Sequence, residues 1–153
     1  MFPADTPLSV WLSWLETLSP KEINLGISRV QVVLSKLQIT LPEKVILIAG
    51  TNGKGSCAAM IEALLRESGL KTGSYTSPHV INYNERIVLY GKPVDDDEII
   101  CAFEAIEKVR DGIELTYFEY GTLAALVIFA KSKLDIWILE VGLGGRLDAT
   151  NVI

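Results

Sequence analysis

The feature that most constrains this fold is an apolar run that leads into a glycine-rich turn and then a helical pattern. Residues 45–48 read Val-Ile-Leu-Ile, which is typical of a short, fully buried strand. Seven turn-forming residues follow within a few positions: Gly50, Thr51, Asn52, Gly53, Lys54, Gly55 and Ser56. From Met60 onward, apolar residues recur at helical spacing. The sequence therefore predicts a strand, a tight turn and a helix in direct succession.

This arrangement is one that binds phosphate groups. Glycines let a turn direct its N–H groups inward, the start of a helix carries partial positive charge, and Lys54 adds a full charge. We therefore predict that residues 50–56 bind nucleotide phosphates. The stretch departs from the common pattern G-x-x-x-x-G-K-[ST], because Ile48 replaces its first glycine and Gly55 its hydroxyl residue. The alternative is an ordinary glycine-rich turn between a strand and a helix.

Composition narrows the class of protein. The chain has 153 residues, enough for one domain with a real core, and a net charge of −5 with no basic run, which argues against a nucleic-acid partner. Its two cysteines, Cys57 and Cys101, have no metal-binding spacing and fit a reducing compartment. No apolar run is long enough to span a bilayer, and the start does not resemble a signal peptide. We expect a cytoplasmic protein without a membrane partner.

Two amphipathic helices are predicted before the central strand, over residues 8–18 and 27–37. Trp11 and Trp14 fall on the apolar face of the first and are expected in the core. Arg29, early in the second, is either a surface charge or a contact to an anion, and its spacing does not decide between them.

A second strand is predicted over residues 72–76 and a short one over residues 86–90. Ser77 directly follows the first of these. In a doubly wound sheet, ligands bind beyond the carboxyl ends of the strands, so Ser77 is a candidate site residue. His79 has no nearby ligand pattern, which favours a structural role over metal binding.

Acidic residues mark the starts of two further helices. Asp95, Asp96 and Asp97 precede apolar residues at helical spacing, which favours helix capping over a metal cluster. Thr116 and Glu119 have the spacing of a capping box, which predicts a helix from Tyr117 to about Ala130.

The last predicted strand, residues 136–141, ends in an acidic residue and a glycine-rich loop. Glu140 lies in an otherwise apolar run, where a carboxylate is costly unless it is paired or binds a metal. The alternative is a glutamate at an exposed strand end. The loop over residues 142–151 carries Arg146 and Asp148 and falls at the sheet edge expected for a site. Together the patterns predict an α/β fold, with a mostly parallel sheet flanked by helices on both faces.

Five stretches resemble the folylpolyglutamate synthase family of the Mur ligase superfamily. AGTNGKGS, YTSPH, NERI, TYFEYGT and LEVGLGGRLDATN occur in its order and spacing, over essentially the whole chain. The first is typical of the superfamily, whereas TYFEYGT and LEVGLGGRLDATN are typical of the folate branch. The resemblance implies an incomplete central ATPase domain of the Mur ligase type.

The resemblance also implies an ATP-dependent amide ligase that uses Mg²⁺. Such an enzyme converts the carboxylate of dihydropteroate, or of a folate, into an acyl phosphate, which the amino group of L-glutamate then attacks. Lys54 would neutralise charge on the transferred phosphoryl group, which makes it the implied catalytic residue. The full-length protein is expected to be a monomer.

Individual residues match the motifs of the family. Those that match its ATP-phosphate loop are Thr51, Asn52, Gly53 and Lys54. Those that match two of its Mg²⁺ ligands are Ser77 and Glu140. Those that match its pterin-binding segments are Asn24, Leu25, Gly26, Ile27, Thr116, Tyr117, Phe118, Glu119, Leu147, Asp148 and Ala149.

The resemblance covers only the first part of the ATP-binding domain, residues 1–153. The third Mg²⁺ ligand of the family and its C-terminal glutamate-binding domain match no residue here, so we expect this chain alone to be catalytically incompetent. The runner-up interpretation is a module that binds nucleotide or pterin without chemistry. An unrelated phosphate-loop kinase is disfavoured, because TYFEYGT and LGGRLDATN would then have no role.

Overall fold

The computed structural model describes residues 2–3, 5–18 and 26–153. The helices are α1 (Leu8–Leu18), α2 (Ser28–Leu37), α3 (Lys54–Glu67), α4 (Asp96–Arg110) and α5 (Tyr117–Lys131), with short 3-10 turns at Tyr83–Arg86 and Ala149–Val152. The strands are β1 (Val45–Ile48), β2 (Thr72–Tyr75), β3 (Ile87–Leu89), β4 (Lys92–Pro93) and β5 (Ile136–Glu140). Among the described residues, no helix has the length and apolar character needed to cross a membrane.

One five-stranded sheet has the order β1-β5-β2-β3-β4. The strands β1, β5 and β2 run parallel, and β3 and β4 extend the sheet in antiparallel fashion beyond β2. The α/β prediction is therefore confirmed. Because the three parallel strands share a direction, their carboxyl ends, and the loops that follow them, meet at one edge of the sheet.

Helices cover both faces of the sheet. On one face, α3 packs over a small cluster whose buried members are Ile48, Ala58, Ile136 and Ile138. On the other face lie α1, α2, α4 and α5, with a much larger core. Gly73 of β2 permits close packing there, because a Cβ at this position would lie 2.6 Å from the side chain of Leu134 and 2.9 Å from the ring of Phe129.

The predicted elements are present, with small shifts at their ends. The prediction that residues 45–48 are fully buried is wrong, because β1 is an edge strand and only Ile48 of it is buried. The predicted strand over residues 86–90 shortens to β3 because Arg86 belongs to a 3-10 turn and Tyr90 adopts a left-handed backbone with φ of 53°. Lys92 and Pro93 form a further edge strand, β4, which the sequence did not predict. An edge position tolerates proline because the missing N–H faces away from the ladder.

Both predicted capping arrangements are confirmed. The Asp95 side chain accepts the N–H of Glu98 at the start of α4, and Asp96 and Asp97 lie in the first turn of that helix. The Thr116 side chain accepts the N–H of Glu119 at the start of α5.

Candidate nucleotide and substrate site

The predicted phosphate loop joins β1 to α3. Gly50 and Gly53 have φ values of 159° and 76°, which L-residues with side chains rarely adopt, and Gly53 is the N-cap of the helix. The amide of Cys57 donates to the carbonyl of Gly53, so the amides of residues 54–56 form the open first turn of the helix. These amides are the donors that an anion at a helix start would engage.

Lys54 is the first residue of α3, and its side chain folds back over the loop. Its Nζ donates to the carbonyl oxygen of Gly50 at 3.1 Å. The side chain is half-buried, whereas the other residues from 50 to 56 are exposed. The structure therefore places the ammonium group of Lys54 beside a loop whose other residues are accessible to solvent.

A cleft of about 450 Å³ opens between this loop and the segment that follows β5. Residues 49–51 and Lys54 line one wall, and residues 141–144 line the other. The glycine-rich loop predicted to contribute to a site thus faces the phosphate loop. This contact arises because β1 and β5 are parallel neighbours, so the segments that follow both strands leave the sheet side by side.

Glu140 ends β5 beside the cleft and is 4% exposed. Its Oε2 accepts the backbone N–H of Ser77 at 3.0 Å, and a Cβ at Gly55 would lie 3.7 Å from the same oxygen. The two predicted Mg²⁺ ligands, which are 63 positions apart in sequence, are therefore neighbours beside the phosphate loop.

The surroundings of Glu140 fit a divalent cation. Within the described ranges, no basic side chain forms an ion pair with this buried carboxylate. A buried carboxylate without a cation is unfavourable. Mg²⁺ takes oxygen ligands and commonly uses only one or two protein groups, completing its shell with water and phosphate oxygens. A carboxylate and a serine hydroxyl are suitable donors for such a site.

The start of α5, predicted to bind substrate, packs against the same glycine-rich loop. A Cβ at Gly142 would lie 2.5 Å from the ring of Phe118, so only glycine permits this contact. The ring of Phe118 also lies 6.0 Å from that of Tyr75 at the end of β2. Sequence reasoning named the loop as a whole but missed this role of Gly142, for which a glycine directly after a buried strand was the available signal.

The segment 147–149 is anchored by its aspartate. Asp148 is buried and accepts three hydrogen bonds, from the N–H of Leu143 at 2.8 Å and from the N–H and hydroxyl of Thr150 at 3.0 and 2.7 Å. Leu147 is exposed and Ala149 is buried. The carboxylate therefore holds the loop in shape, while Leu147 is the member of the segment available to a ligand.

The structure also brings the other predicted substrate residues together. The helices α2 and α5 and the turn Ala149–Val152 contact one another, which places Gly26 and Ile27, at the start of α2, near the start of α5. Asn24 and Leu25 lie outside the described residues. The three segments thus converge on the face of the sheet opposite α3.

A cluster around Arg86 was not predicted from the sequence. Its Nε donates to Nδ1 of His79 at 2.9 Å, and its guanidinium carbon lies 5.3 and 5.5 Å from the ring centres of Tyr83 and Tyr117. Burial raises the pKa of the adjacent Tyr75 to about 12, with the charge of Arg86 acting in the opposite direction. The expectation that His79 has a structural role agrees with this contact.

Fold and site together define an α/β protein with a nucleotide-phosphate loop. No protein-family model matches the chain. The chain is 48% identical over 151 residues to the dihydrofolate synthase/folylpolyglutamate synthase of Escherichia coli (strain K12). The matched region covers 98% of this chain and 36% of that protein. It is 38% identical over 152 residues to the protein of the same name from Bacillus subtilis (strain 168), covering 92% of this chain and 35% of that one.

Solved structures agree with these relatives. The structure described as E. coli FolC in complex with DHPP and ADP matches with a TM-score of 0.96 at 46% identity, covering 100% of this chain and 37% of that one. A bifunctional folylpolyglutamate synthase/dihydrofolate synthase from Yersinia pestis, complexed with AMPPNP and Mn ion, matches with a TM-score of 0.93 and 46% identity, over 100% of this chain and 38% of that one. The chain is thus homologous to the dihydrofolate synthase/folylpolyglutamate synthases and spans just over a third of their length.

Proposed function

We propose that this chain supplies the nucleotide-phosphate site and the pterin-binding segments of an ATP-dependent folate ligase. The reaction joins L-glutamate to dihydropteroate, or to a folate that already carries glutamate. ATP phosphorylates the substrate carboxylate and ADP leaves; the amine of glutamate then displaces phosphate to form the amide. The observation that carries the proposal is the convergence of Lys54, Ser77 and Glu140 at the carboxyl ends of three parallel strands.

Each group has a defined part in this proposal. The amides of residues 50–56 and the ammonium of Lys54 bind and orient the phosphates, and Lys54 offsets charge on the transferred group. Ser77 and Glu140 would hold Mg²⁺, which when bound supplies further charge neutralisation. Residues 26–27, 116–119 and 147–149 would form the pterin side of the site, with Asn24 and Leu25 included by resemblance.

The remaining assignments are part of the same proposal. We place residues 1–153 in the first part of the ATP-binding domain, with glutamate held elsewhere in the full-length ligase. We expect small molecules rather than nucleic acid or membrane as partners, a monomeric full-length protein, and a cytoplasmic location. The two free, exposed cysteines, Cys57 and Cys101, support a reducing compartment.

The test is isothermal titration of MgATP and then of dihydropteroate into the purified 153-residue chain. We expect Lys54→Ala to weaken MgATP binding by about tenfold or more, because a charge-assisted phosphate contact is lost. The matched control is Lys133→Ala. This exposed lysine lies between α5 and the start of β5, whereas the site lies at the carboxyl end of that strand. Equal MgATP affinity in wild type and Lys54→Ala would contradict the proposal. Binding of both ligands without glutamate-dependent ATP hydrolysis would identify this chain as a binding module.

A further inference from the structure

Arg29, whose role the sequence leaves open, lies in the first turn of α2, two positions after Ile27. Its Nη2 donates to Oε1 of Glu119 at 2.7 Å, across 90 positions of sequence. The side chain of Glu119 is 4% exposed and that of Arg29 is 26% exposed. The pair is therefore largely shielded from water, unlike the surface pair between Lys36 and Asp111.

The second oxygen of Glu119 is also engaged by the chain itself. Its Oε2 accepts the backbone N–H of Thr116 at 2.8 Å, while the Thr116 hydroxyl accepts the N–H of Glu119 at 3.2 Å. One carboxylate thus caps the start of α5 and binds the start of α2. Separating the two helix starts would leave the buried carboxylate of Glu119 without this cation, which is unfavourable, so the contact resists their separation.

We infer that Arg29 is a positioning residue that, through Glu119, sets the spacing between two of the three predicted pterin-binding segments. Residues 26–27 lead directly into the helix that carries Arg29, and residues 116–119 contain its partner. On this assignment, Glu119 contributes to the site by fixing the distance between these two segments rather than by binding substrate itself. The inference rests on the proposed function.

Three variants isolate the contact. Arg29→Met keeps much of the side-chain length and removes the charge, whereas Arg29→Lys keeps the charge. Glu119→Gln keeps an oxygen that can accept the N–H of Thr116, so it retains the cap and loses only the negative charge. The control is Lys36→Met, which removes an exposed ion pair with Asp111 and lies in the last turn of α2, at the end of the helix opposite Arg29.

Affinities for dihydropteroate and for MgATP are measured by isothermal titration on the full 153-residue chain. We expect Arg29→Met and Glu119→Gln each to weaken dihydropteroate binding about tenfold, with MgATP affinity within about twofold of wild type, because displaced substrate contacts are costly. Arg29→Lys should restore part of the loss, and Lys36→Met should change neither affinity. The double variant should lose little more than either single one, since both remove the same contact.

Several results would overturn the inference. Unchanged dihydropteroate affinity in Arg29→Met, or additive losses in the double variant, would show that the pair does not position the site. A loss in Arg29→Met with no loss in Glu119→Gln would instead identify Arg29 as a direct contact to the substrate anion. Equal losses of both ligands would indicate general unfolding.

A second measurement separates this inference from the proposed function. If the wild-type chain binds no dihydropteroate, the pterin assignment fails, and hydrogen exchange then tests the spacing without a ligand. Arg29→Met should speed exchange of the amides of residues 26–31 and 116–120, whereas Lys36→Met should not. Unchanged exchange in both regions would overturn the inference independently of ligand binding.

Discussion

The two faces of the sheet differ greatly in how much apolar surface they bury. On the face covered by α1, α2, α4 and α5, every residue of α5 from 119 to 129 is buried. On the other face, the single helix α3 leaves Met60 and Leu64 68% and 69% exposed, and only Ala58 of that helix is buried. The neighbouring strand β1 forms the open edge of the sheet.

This difference separates the region that dominates stability from the region of the predicted nucleotide site. Most of the buried apolar area, and with it most of the hydrophobic stabilisation, lies on the face where the predicted pterin-binding segments converge. The phosphate loop lies at the start of the thinly packed helix and is largely exposed. Substitutions in that loop can therefore change ligand binding at little cost in folding, which makes Lys54 a suitable residue to test.

The largest expected effect comes from truncating one leucine on each face. Leu126→Ala, at a position of 0% exposure in α5, should lower the free energy of unfolding by about 2–5 kcal/mol. Leu64→Ala is the matched change in α3 and should cost within about 0.5 kcal/mol. Urea unfolding of both variants measures the difference. Similar losses at the two positions would contradict the contrast between the faces.

A smaller effect is expected from adding one methyl group to a glycine on each face. A Cβ at Gly121 would lie 2.6 Å from the hydroxyl oxygen of Tyr83, a buried side chain without room to move. Gly121→Ala should therefore destabilise the chain by about 1–3 kcal/mol. At Gly55 the nearest atom is 3.7 Å away, so Gly55→Ala should leave stability nearly unchanged. Thermal unfolding distinguishes them, and equal melting temperatures would refute this packing argument.

The smallest effect is a loss of folding stability at alkaline pH, and it arises from a tyrosine in the larger core. Burial raises the pKa of Tyr75 to about 12, so the unfolded chain, whose tyrosines titrate near about 10, loses the proton first. The stabilisation is fully present below pH 10 and decreases as pH rises toward 12, by up to about 1.4 kcal/mol per pH unit.

Tyr75→Phe keeps the ring and removes the ionisable group. In this variant, the free energy of unfolding should decrease less between pH 10 and 11.5 than it does in wild type, as measured by urea titration at each pH. Some slope should remain, because burial also raises the pKa values of Tyr83 and Tyr120 on the same face. An unchanged slope would show that Tyr75 does not ionise differently in the two states.

Much of the local structure was predictable from sequence because its causes are local. Alternating turn residues and apolar runs located β1, β2, β5 and the helices, and the side chains of Asp95 and Thr116 cap helices within three residues of themselves. The conformation of residues 50–56 was predictable for the same reason, since their glycines and Lys54 lie within one turn, and phosphate binding there stays a prediction.

Contacts between distant segments were not predictable in this way. The role of Arg29 depended on a carboxylate 90 positions away, and periodicity says only which face of α2 it occupies. The need for glycine at position 142 arises from the ring of Phe118, which reaches it only after α5 has packed on the sheet. Ser77 and Glu140 were suspected singly as strand-end residues, but their adjacency depends on strand order.

The sequence by itself determined the elements, their caps and the glycine-rich turn that carries Lys54, because short-range backbone preferences and hydrophobic periodicity act within a few residues. The tertiary structure alone decided which strand ends share an edge, which face of the sheet is thickly covered, and which buried charges find partners. The shared edge follows from the parallel pairing of β5 between β1 and β2, which brings the backbone N–H of Ser77 into hydrogen-bond distance of the Glu140 carboxylate, 63 positions away.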